Sequence, residues 1–135
     1  MHKGAGLVLK TVKAIETGNP PSHLQPENVP IKHAPKIFKE TCEIQWTQSS
    51  DAIRNFVRGL NPCPAAWTTI QDKLFKIYQV QPMRNVKAES DWVTDQKTYL
   101  YHKTADGWIS ITELQPEGKK RMTIEEFFRG NKLTI

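Results

Sequence analysis

The chain has 135 residues, which fits one compact domain with an appendage and is too short for two full-size domains. Hydrophobic residues make up 38% of it and aromatic residues 9%, more than a disordered chain carries, while 19 basic and 14 acidic residues give a net charge of +5 that suits a polyanionic partner. No stretch reaches the roughly 18 apolar residues of a membrane span, and no signal-peptide core follows the N-terminus, so we expect a soluble, cytoplasmic protein.

The first predicted element is an amphipathic helix over residues 3 to 17, about four turns long. Gly18 is expected to end it, because glycine readily adopts the left-handed conformation that closes helices. Its apolar stripe consists of Ala5, Val8, Leu9, Val12 and Ile15.

A proline-rich segment follows the helix. Five of the nine prolines lie there: Pro20, Pro21, Pro26, Pro30 and Pro35. Proline fixes φ and lacks an N–H donor, so residues 19 to 40 are predicted to form an extended linker. A helix beyond such a linker has no local partner for its stripe. We therefore expect the chain to be the tail of a longer protein, with the stripe packed on a neighbouring copy or mobile rather than buried in its own domain.

Two short elements are predicted after the linker. Residues 43 to 46 look like a short strand. Ser49 or Ser50 is predicted to cap a helix over residues 51 to 58, and Gly59 is predicted to end that helix as its C-cap.

Two hairpins come next. Residues 66 to 70 and 73 to 80 are strand-like runs joined at Gln71-Asp72. In the second run Phe75 and Ile77 alternate with Lys76 and Tyr78, which predicts a hairpin with a basic outer face. Residues 98 to 103 and 108 to 113 form a second pair around an Asp-Gly turn.

The last predicted element is a short helix. Thr123 and Glu126 have capping-box spacing, and the helix should run through Phe128 and close at Gly130. With about five strands, one helix leading in and one leading out, the chain is predicted to be mainly β with flanking helices. A small antiparallel barrel fits this better than a sandwich, which needs more strands.

A search for catalytic or metal-binding patterns finds none in the sequence. There is no nucleophile elbow, no phosphate-binding loop and no dinucleotide fingerprint. The four histidines are far apart, and Cys42 and Cys63 lack zinc-site spacing. We therefore predict no catalytic residue, no metal site and no disulfide in this chain.

The sequence Gly118-Lys119-Lys120-Arg121 instead places three consecutive cations beside a glycine, a concentration of charge that suits phosphate binding. Lys73, Lys76, Arg54 and Arg58 would extend this patch if the barrel brings them to one face. Taken alone, a run of three charges is more often a solvated surface than a nucleic-acid site.

The four tryptophans suggest a base-stacking platform, but most of them alternate with polar neighbours in strands. Core or hairpin packing is therefore the better interpretation for most. Trp92 lies in a weakly patterned stretch and is predicted to be the most exposed.

Four blocks of this sequence resemble methionyl-tRNA formyltransferases, in order and in spacing. They are Pro35-Lys36-Ile37 with Lys39-Glu40, Ile44-Gln45-Trp46, Arg58-Gly59-Leu60-Asn61-Pro62-Cys63-Pro64-Ala65-Ala66-Trp67, and Leu114-Gln115-Pro116-Glu117-Gly118-Lys119-Lys120-Arg121-Met122. The resemblance implies that residues 1–18 are the last helix of a missing catalytic domain, 19–40 the interdomain linker, and 41–135 a tRNA-binding C-terminal domain with an open OB-like antiparallel barrel.

The resemblance also implies the activity of a parent enzyme. Such an enzyme transfers a formyl group from 10-formyltetrahydrofolate to the methionyl amino group of initiator tRNA in translation initiation. The family's working Asn, His and Asp lie near a Ser-Leu-Leu-Pro loop in the N-terminal domain, and neither that loop nor Asn-x-His occurs here. The implied partners are initiator methionyl-tRNA and the missing catalytic domain, and the fragment alone is expected to be inactive and to hold no cofactor.

Carried over to matching positions, the resemblance assigns tRNA contact to seven cations: Lys36, Lys39, Arg58, Lys76, Lys119, Lys120 and Arg121. Asn61, Pro62 and Pro64 are implied to shape the turn before the first hairpin. The sequence departs from the family at Cys63, where Trp is common, and at Gln45, where Asp is usual. Residues 88 to 95 lack the Pro-Gly turn expected before the third strand.

Two alternatives remain open at this point. One is an interdomain scaffolding domain of a related folate-dependent formyltransferase that acts on a non-RNA substrate. The other is a free-standing single-strand-binding OB protein, against which the separate helix and linker argue.

Overall fold

The N-terminal unit of the chain ends at Pro35, and its described residues contain one helix. The computed structural model describes residues 2–20, 22–27 and 29–135, without the side chain of His2. Helix α1 spans His2–Glu16. It closes in a Schellman motif, in which the Gly18 N–H donates to the Ile15 carbonyl (3.0 Å) and the Asn19 N–H to the Ala14 carbonyl (3.2 Å). Gly18 has a φ of 74°, so the predicted stop at this glycine is confirmed.

The apolar side chains of α1 are exposed, including Leu7, Val8, Leu9, Val12 and Ile15. Of the described residues from 17 to 39, none lies in a helix or a strand. Pro21 of the predicted linker, and Asn28 with it, lie outside the described residues.

The second unit, residues 36–135, is described throughout and contains a six-stranded antiparallel sheet. Its strands run in the order β1-β2-β5-β4-β3, and β6 pairs with β5. The sheet curls into an open OB-like half-barrel with flanking helices, so the predicted fold class is confirmed. The elements are a 3-10 turn at Glu40–Cys42, α2 (Ser50–Leu60), β1 (Ala66–Ile70), β2 (Lys73–Met83), β3 (Trp92–Thr94), β4 (Leu100–Lys103), β5 (Trp108–Pro116), β6 (Met122–Thr123) and α3 (Ile124–Gly130).

The core lies between the concave face of the sheet and the two helices of this unit. Helix α2 contributes Ile53 and Val57, each 1% exposed, and α3 contributes Phe127. Ile77 of β2 and Leu114 of β5 face each other in register and are fully buried. Removing side chains of this size from water stabilises the fold by about 1.5–3 kcal/mol each.

The first hairpin has the turn that its sequence predicts. Gln71 and Asp72 both have positive φ, 52° and 59°, which is the conformation of a two-residue type I′ turn. The predicted capping box is also confirmed, because the Glu126 N–H donates to Thr123 Oγ1 (3.3 Å) and the Thr123 N–H to Glu126 Oε2 (2.9 Å).

The start of α2 is held by a residue far along the chain. Ser49 caps the helix locally by accepting from the Ala52 N–H, and Asp106 Oδ1 accepts from the Ser50 N–H at 2.7 Å. The Ser50 and Thr104 hydroxyls bond at 2.8 Å in the interior. The hydrogen bond from the Ser50 N–H lowers the pKa of the Asp106 carboxyl, and this effect is larger than that of partial desolvation, which raises the pKa. The turn between β4 and β5 is thereby fixed to the helix.

Two predictions made from local sequence are wrong, because contacts with residues distant in the sequence determine the structure at both places. Gly59 is not a C-cap: it lies inside the last turn of α2, and Asn61 follows as the C-cap. Asn61 Nδ2 donates to the Tyr78 carbonyl at 2.9 Å, which ties the turn to β2. Residues 43 to 46 form no strand: Glu43 makes one isolated bridge to Trp67, Ile44 and Gln45 lie in neither a helix nor a strand, and a turn begins at Trp46.

Of two aromatic residues predicted to face outward, one is buried and the other is partly buried. Tyr78 is 9% exposed, because the β2–β5 register shifts between Ile77 and Gln79 and the alternation of faces is interrupted there. Trp92 is only partly exposed and packs edge-on against Trp46 (5.6 Å between ring centroids) and His102 (4.3 Å). Strand β3, which begins at Trp92, was missed because its three residues carry no alternation.

Candidate nucleic-acid interface

A row of three side chains crosses the outer face of strands β1, β2 and β5. Trp67 pairs with Lys76, and Lys76 pairs with Gln115. Directly paired residues in a sheet project to the same side, so these three lie next to one another. The alternate positions Phe75 and Ile77 point into the core and are buried. The hairpin therefore does present the lysine outward, as its sequence predicts.

A cavity of about 440 Å³ lies along this row, and all three side chains line it. Its apolar walls come from Pro64, Trp67, Leu74 and Pro116, and the exposed Lys39 and Lys76 also line it. Glu117 is the acidic residue among its lining side chains. We call this cavity the Trp67 groove.

The ring of Trp67 is fixed in the groove by its own nitrogen. Trp67 Nε1 donates to the Lys39 carbonyl at 2.7 Å, and the side chain is half-buried against the core. This bond also holds the backbone of Lys39 beside β1. Lys39 and Lys76 are thus two predicted site residues that the structure brings together.

A second group of polar side chains continues the row beyond Gln115. Tyr78 Oη donates to Gln115 Oε1 at 2.7 Å, and Gln115 Nε2 donates to the Lys119 carbonyl at 2.6 Å. The guanidinium of Arg121 lies 4.5 Å from the centroid of the Tyr78 ring and forms an ion pair with Glu113. Arg121 is thus placed next to the row, with its charge partly balanced.

The turn after β5 sets the direction of Lys119. The Lys119 N–H donates to the Pro116 carbonyl at 3.1 Å, and Gly118 has a φ of 71°, as the third residue of a type II turn requires. Lys119 Nζ donates to Asn131 Oδ1 at 3.3 Å. It borders a second cavity, of about 380 Å³, together with Lys73 and Lys132.

The other three predicted cations are exposed and lie apart from the groove. Arg58 borders a cavity of about 350 Å³ that Tyr78 also lines. Lys36 Nζ lies 5.4 Å from the Phe38 ring. Lys120 lies near Glu126, whose pKa is lowered first by the Thr123 N–H and to a smaller extent by the charges of Lys120 and Arg129, against partial desolvation.

Sequence reasoning missed Gln115, Tyr78 and Lys132 as members of this surface. Their positions depend on strand register and on the path of the chain after α3, neither of which is a local property. The alternation of residues around Lys76 predicts that its side chain points outward. That Gln115 lies beside it depends on the pairing of β2 with β5, which the alternation does not predict.

Groups capable of acid–base or metal chemistry do not cluster in the part of the chain that the structure describes. No three His, Cys, Asp or Glu side chains there could hold a metal ion together. His102 is buried, stacked on Trp46 with ring centroids 4.0 Å apart, and burial lowers its pKa. Cys42 is buried and Cys63 is exposed, both as free thiols. Within the described residues, no helix combines the length and apolar character that crossing a membrane requires.

Comparison with known proteins identifies the domain. The sequence profile of the formyl transferase C-terminal domain matches residues 36–132. The chain belongs to this family. Every residue of the Trp67 groove lies within the matched range, whereas helix α1 lies before it.

Relatives of this formyl transferase C-terminal domain include two named methionyl-tRNA formyltransferases. The one from Phocaeicola vulgatus is 40% identical over 141 residues, which cover 96% of this chain and 44% of that protein. The one from Chlorobium limicola is 40% identical over 134 residues, with 95% of this chain and 42% of that protein covered. The chain thus spans less than half the length of these relatives.

Solved structures with the same fold include HypX from Aquifex aeolicus. One HypX variant superposes with a TM-score of 0.65 at 20% identity, covering 93% of this chain and 23% of that one. A second, in complex with tetrahydrofolic acid, gives a TM-score of 0.64 at 19% identity and covers 92% of this chain and 23% of that one. These superpositions show that the chain shares its fold with part of HypX.

Proposed function

We propose that this chain is the tRNA-holding part of an enzyme that transfers a formyl group from 10-formyltetrahydrofolate to the methionyl amino group of initiator tRNA. The observation that carries the proposal is the convergence of Lys39 and Lys76 on one groove, on the outer face of a domain whose relatives are named methionyl-tRNA formyltransferases. Two neighbouring cations on a surface with one acidic side chain suit a phosphate backbone.

The proposal divides the chain by role. Residues 1–18 belong to the catalytic domain as its last helix, 19–40 link the domains, and 41–135 hold the tRNA. The exposed apolar face of α1 supports this division, because such a face is usually covered in the complete protein. The formyl donor and the reacting groups belong to the catalytic domain, so the chain by itself transfers no formyl group.

In this role the domain positions the RNA without reading its sequence. Phosphate contacts fix orientation and register, and structured RNA is recognised largely by shape. The contacts come from seven exposed cations: Lys36, Lys39, Arg58, Lys76, Lys119, Lys120 and Arg121. Arg121 contributes less net charge than the others because Glu113 pairs with it.

Binding of the 135-residue chain to initiator tRNA, measured by fluorescence anisotropy across a salt series, tests the proposal. Each lost phosphate contact reduces the magnitude of the negative slope of log K against log salt by about 1, so Lys39→Ala with Lys76→Ala should reduce that magnitude by about 2 and weaken binding. The matched control is Lys97→Ala with Lys103→Ala, which removes the same amount of charge. Lys103 ends β4 and Lys97 lies just before that strand, and β4 is separated from β2 by β5 in the sheet.

Equal losses in the two double variants would mean that net charge, and not this face, binds the RNA. No binding of the wild-type chain even at low salt would overturn the proposal and would leave interdomain scaffolding as the role of the domain.

A further inference from the structure

We propose that the Trp67 groove binds one unstacked nucleotide of the RNA, with its base against the Trp67 ring and its phosphate between Lys39 and Lys76. The inference rests on the proposed RNA binding and adds a subsite to it. With this subsite, the surface binds RNA through its charge and also distinguishes unpaired nucleotides from a continuous duplex.

The shape and lining of the groove are the first argument. A phosphate backbone needs an exposed cationic surface and no apolar concavity. The Trp67 groove, at about 440 Å³, has the volume of a small-molecule site and is walled by Pro64, Trp67, Leu74 and Pro116. A flat apolar group such as a nucleobase matches these walls, and the two lysines match the phosphate attached to it.

The state of Trp67 is the second argument. Its Nε1 is already bonded to the Lys39 carbonyl, so what the indole offers a ligand is its π-surface. Because this bond and the β1–β2 pairing hold the ring in place, little side-chain freedom is lost when a base stacks on it. Stacking of one base on an aromatic side chain changes affinity by about 5- to 150-fold.

The remaining hydrogen-bonding groups of the groove predict its specificity. Both ends of the Gln115 amide are engaged, by Tyr78 and by the Lys119 carbonyl. The Glu117 N–H donates to the Leu74 carbonyl. With the Gln115 amide and the Glu117 N–H satisfied inside the protein, the groove recognises a base chiefly by stacking and its phosphate by charge. It therefore accepts different bases.

A pair of substitutions separates stacking from structural support. Trp67→Leu and Trp67→Phe both lose the bond to the Lys39 carbonyl, and only the phenylalanine keeps an aromatic face. The probes are a single-stranded RNA tetranucleotide, A4, and a blunt 12-base-pair RNA duplex. We expect Trp67→Leu to weaken A4 binding about 10-fold or more, Trp67→Phe to remain within about threefold of wild type, and duplex binding to change by less than about twofold in both.

A measurement on the unaltered chain keeps the test independent of how the variants fold. The indole N–H signals of the four tryptophans are resolved by NMR, and that of Trp67 is assigned on the isotope-labelled wild-type chain by correlating the side chain with its own backbone amide. Addition of A4 should shift the Trp67 signal and leave those of Trp46, Trp92 and Trp108 in place. C4 should shift the same signal.

Three results would overturn the inference while leaving tRNA binding intact: equal losses in the Leu and Phe variants, equal losses for A4 and duplex, or an unmoved Trp67 signal at A4 concentrations that saturate the chain. Failure of the wild-type chain to bind tRNA, duplex and A4 alike would instead remove the proposed function itself.

Discussion

Helices α1 and α2 carry the same kind of amphipathic pattern and differ in what covers it. In α1, Leu7 is 66% and Val8 63% exposed, whereas in α2 Ile53 and Val57 are each 1% exposed. The spacing of apolar residues is a property of the local sequence, and the covering surface is a property of the fold. The pattern therefore predicts that a helix forms and leaves its neighbour undetermined.

The ends of the two helices differ in the same way. Helix α2 has a side-chain cap from Ser49 and a second from Asp106, while α1 has no acidic residue in its first turn and carries Gly4 and Gly6 within its first two turns. Each glycine costs about 1 kcal/mol of helix stability relative to alanine. Helix α1 is therefore the one that depends more on a covering surface for its stability.

The largest expected effect that tests this comparison comes from a matched pair of leucine truncations. Leu114→Ala removes a fully buried side chain and should lower the free energy of unfolding by about 2–5 kcal/mol. Leu9→Ala alters an exposed position in α1 and should change it by less than about 0.5 kcal/mol. Denaturant unfolding followed by tryptophan fluorescence measures both, because every tryptophan lies in the second unit. Similar losses in the two variants would break the comparison.

An intermediate effect is expected from two threonines. Thr123→Ala removes the capping box of α3 and should cost about 1 kcal/mol of unfolding free energy. Thr11 of α1 bonds only its own helix, through the Leu7 carbonyl at 2.9 Å, and alanine is the better helix former. Thr11→Ala should therefore leave the unfolding midpoint unchanged and maintain or raise the helical circular-dichroism signal. A loss of helix in that variant would contradict the assignment.

The smallest expected effect is a pH dependence that originates at His102. Burial lowers its pKa, against the Lys103 carbonyl and the charge of Asp91, which raise it. Below the ordinary histidine pKa of about 6.5 the unfolded chain binds a proton that the folded domain resists, so stability should fall as the pH drops from about 6.5. Unfolding free energies measured between pH 7 and 5 should show this slope.

Two variants locate that slope. His102→Gln should flatten it, whereas His33→Gln, at an exposed position in the N-terminal unit, should keep it. The carboxyl groups with lowered pKa values, Asp95, Asp106 and Glu126, titrate below this window and do not obscure the result. A slope that persists in His102→Gln would assign the effect to another group.

The features that the sequence predicts correctly are those decided within a few residues. The Gln71-Asp72 turn, the Thr123 to Glu126 capping box and the stop at Gly18 each depend on neighbours along the chain. Tyr78 was assigned to the wrong face because a register shift determines its burial, and the partial burial of Trp92 depends on an aromatic cluster formed by residues distant in the sequence. Only the three-dimensional fold contains that information.

The candidate site divides along the same line. The outward direction of Lys76 follows from the alternation of side chains along the predicted strand. The meeting of Lys39 with Lys76 follows from a hydrogen bond between Trp67 and a residue 28 positions earlier, which no local pattern encodes.

The bond from the Ser50 N–H to Asp106 has a consequence for how the domain folds. The two residues are 56 positions apart, so the first turn of α2 gains this partner only after β4 and β5 have turned back toward it. Loop-closure entropy must be spent before the contact forms, which places it among the late, long-range steps that slow folding. The start of this helix and the tip of the second hairpin are therefore expected to become protected from hydrogen exchange together.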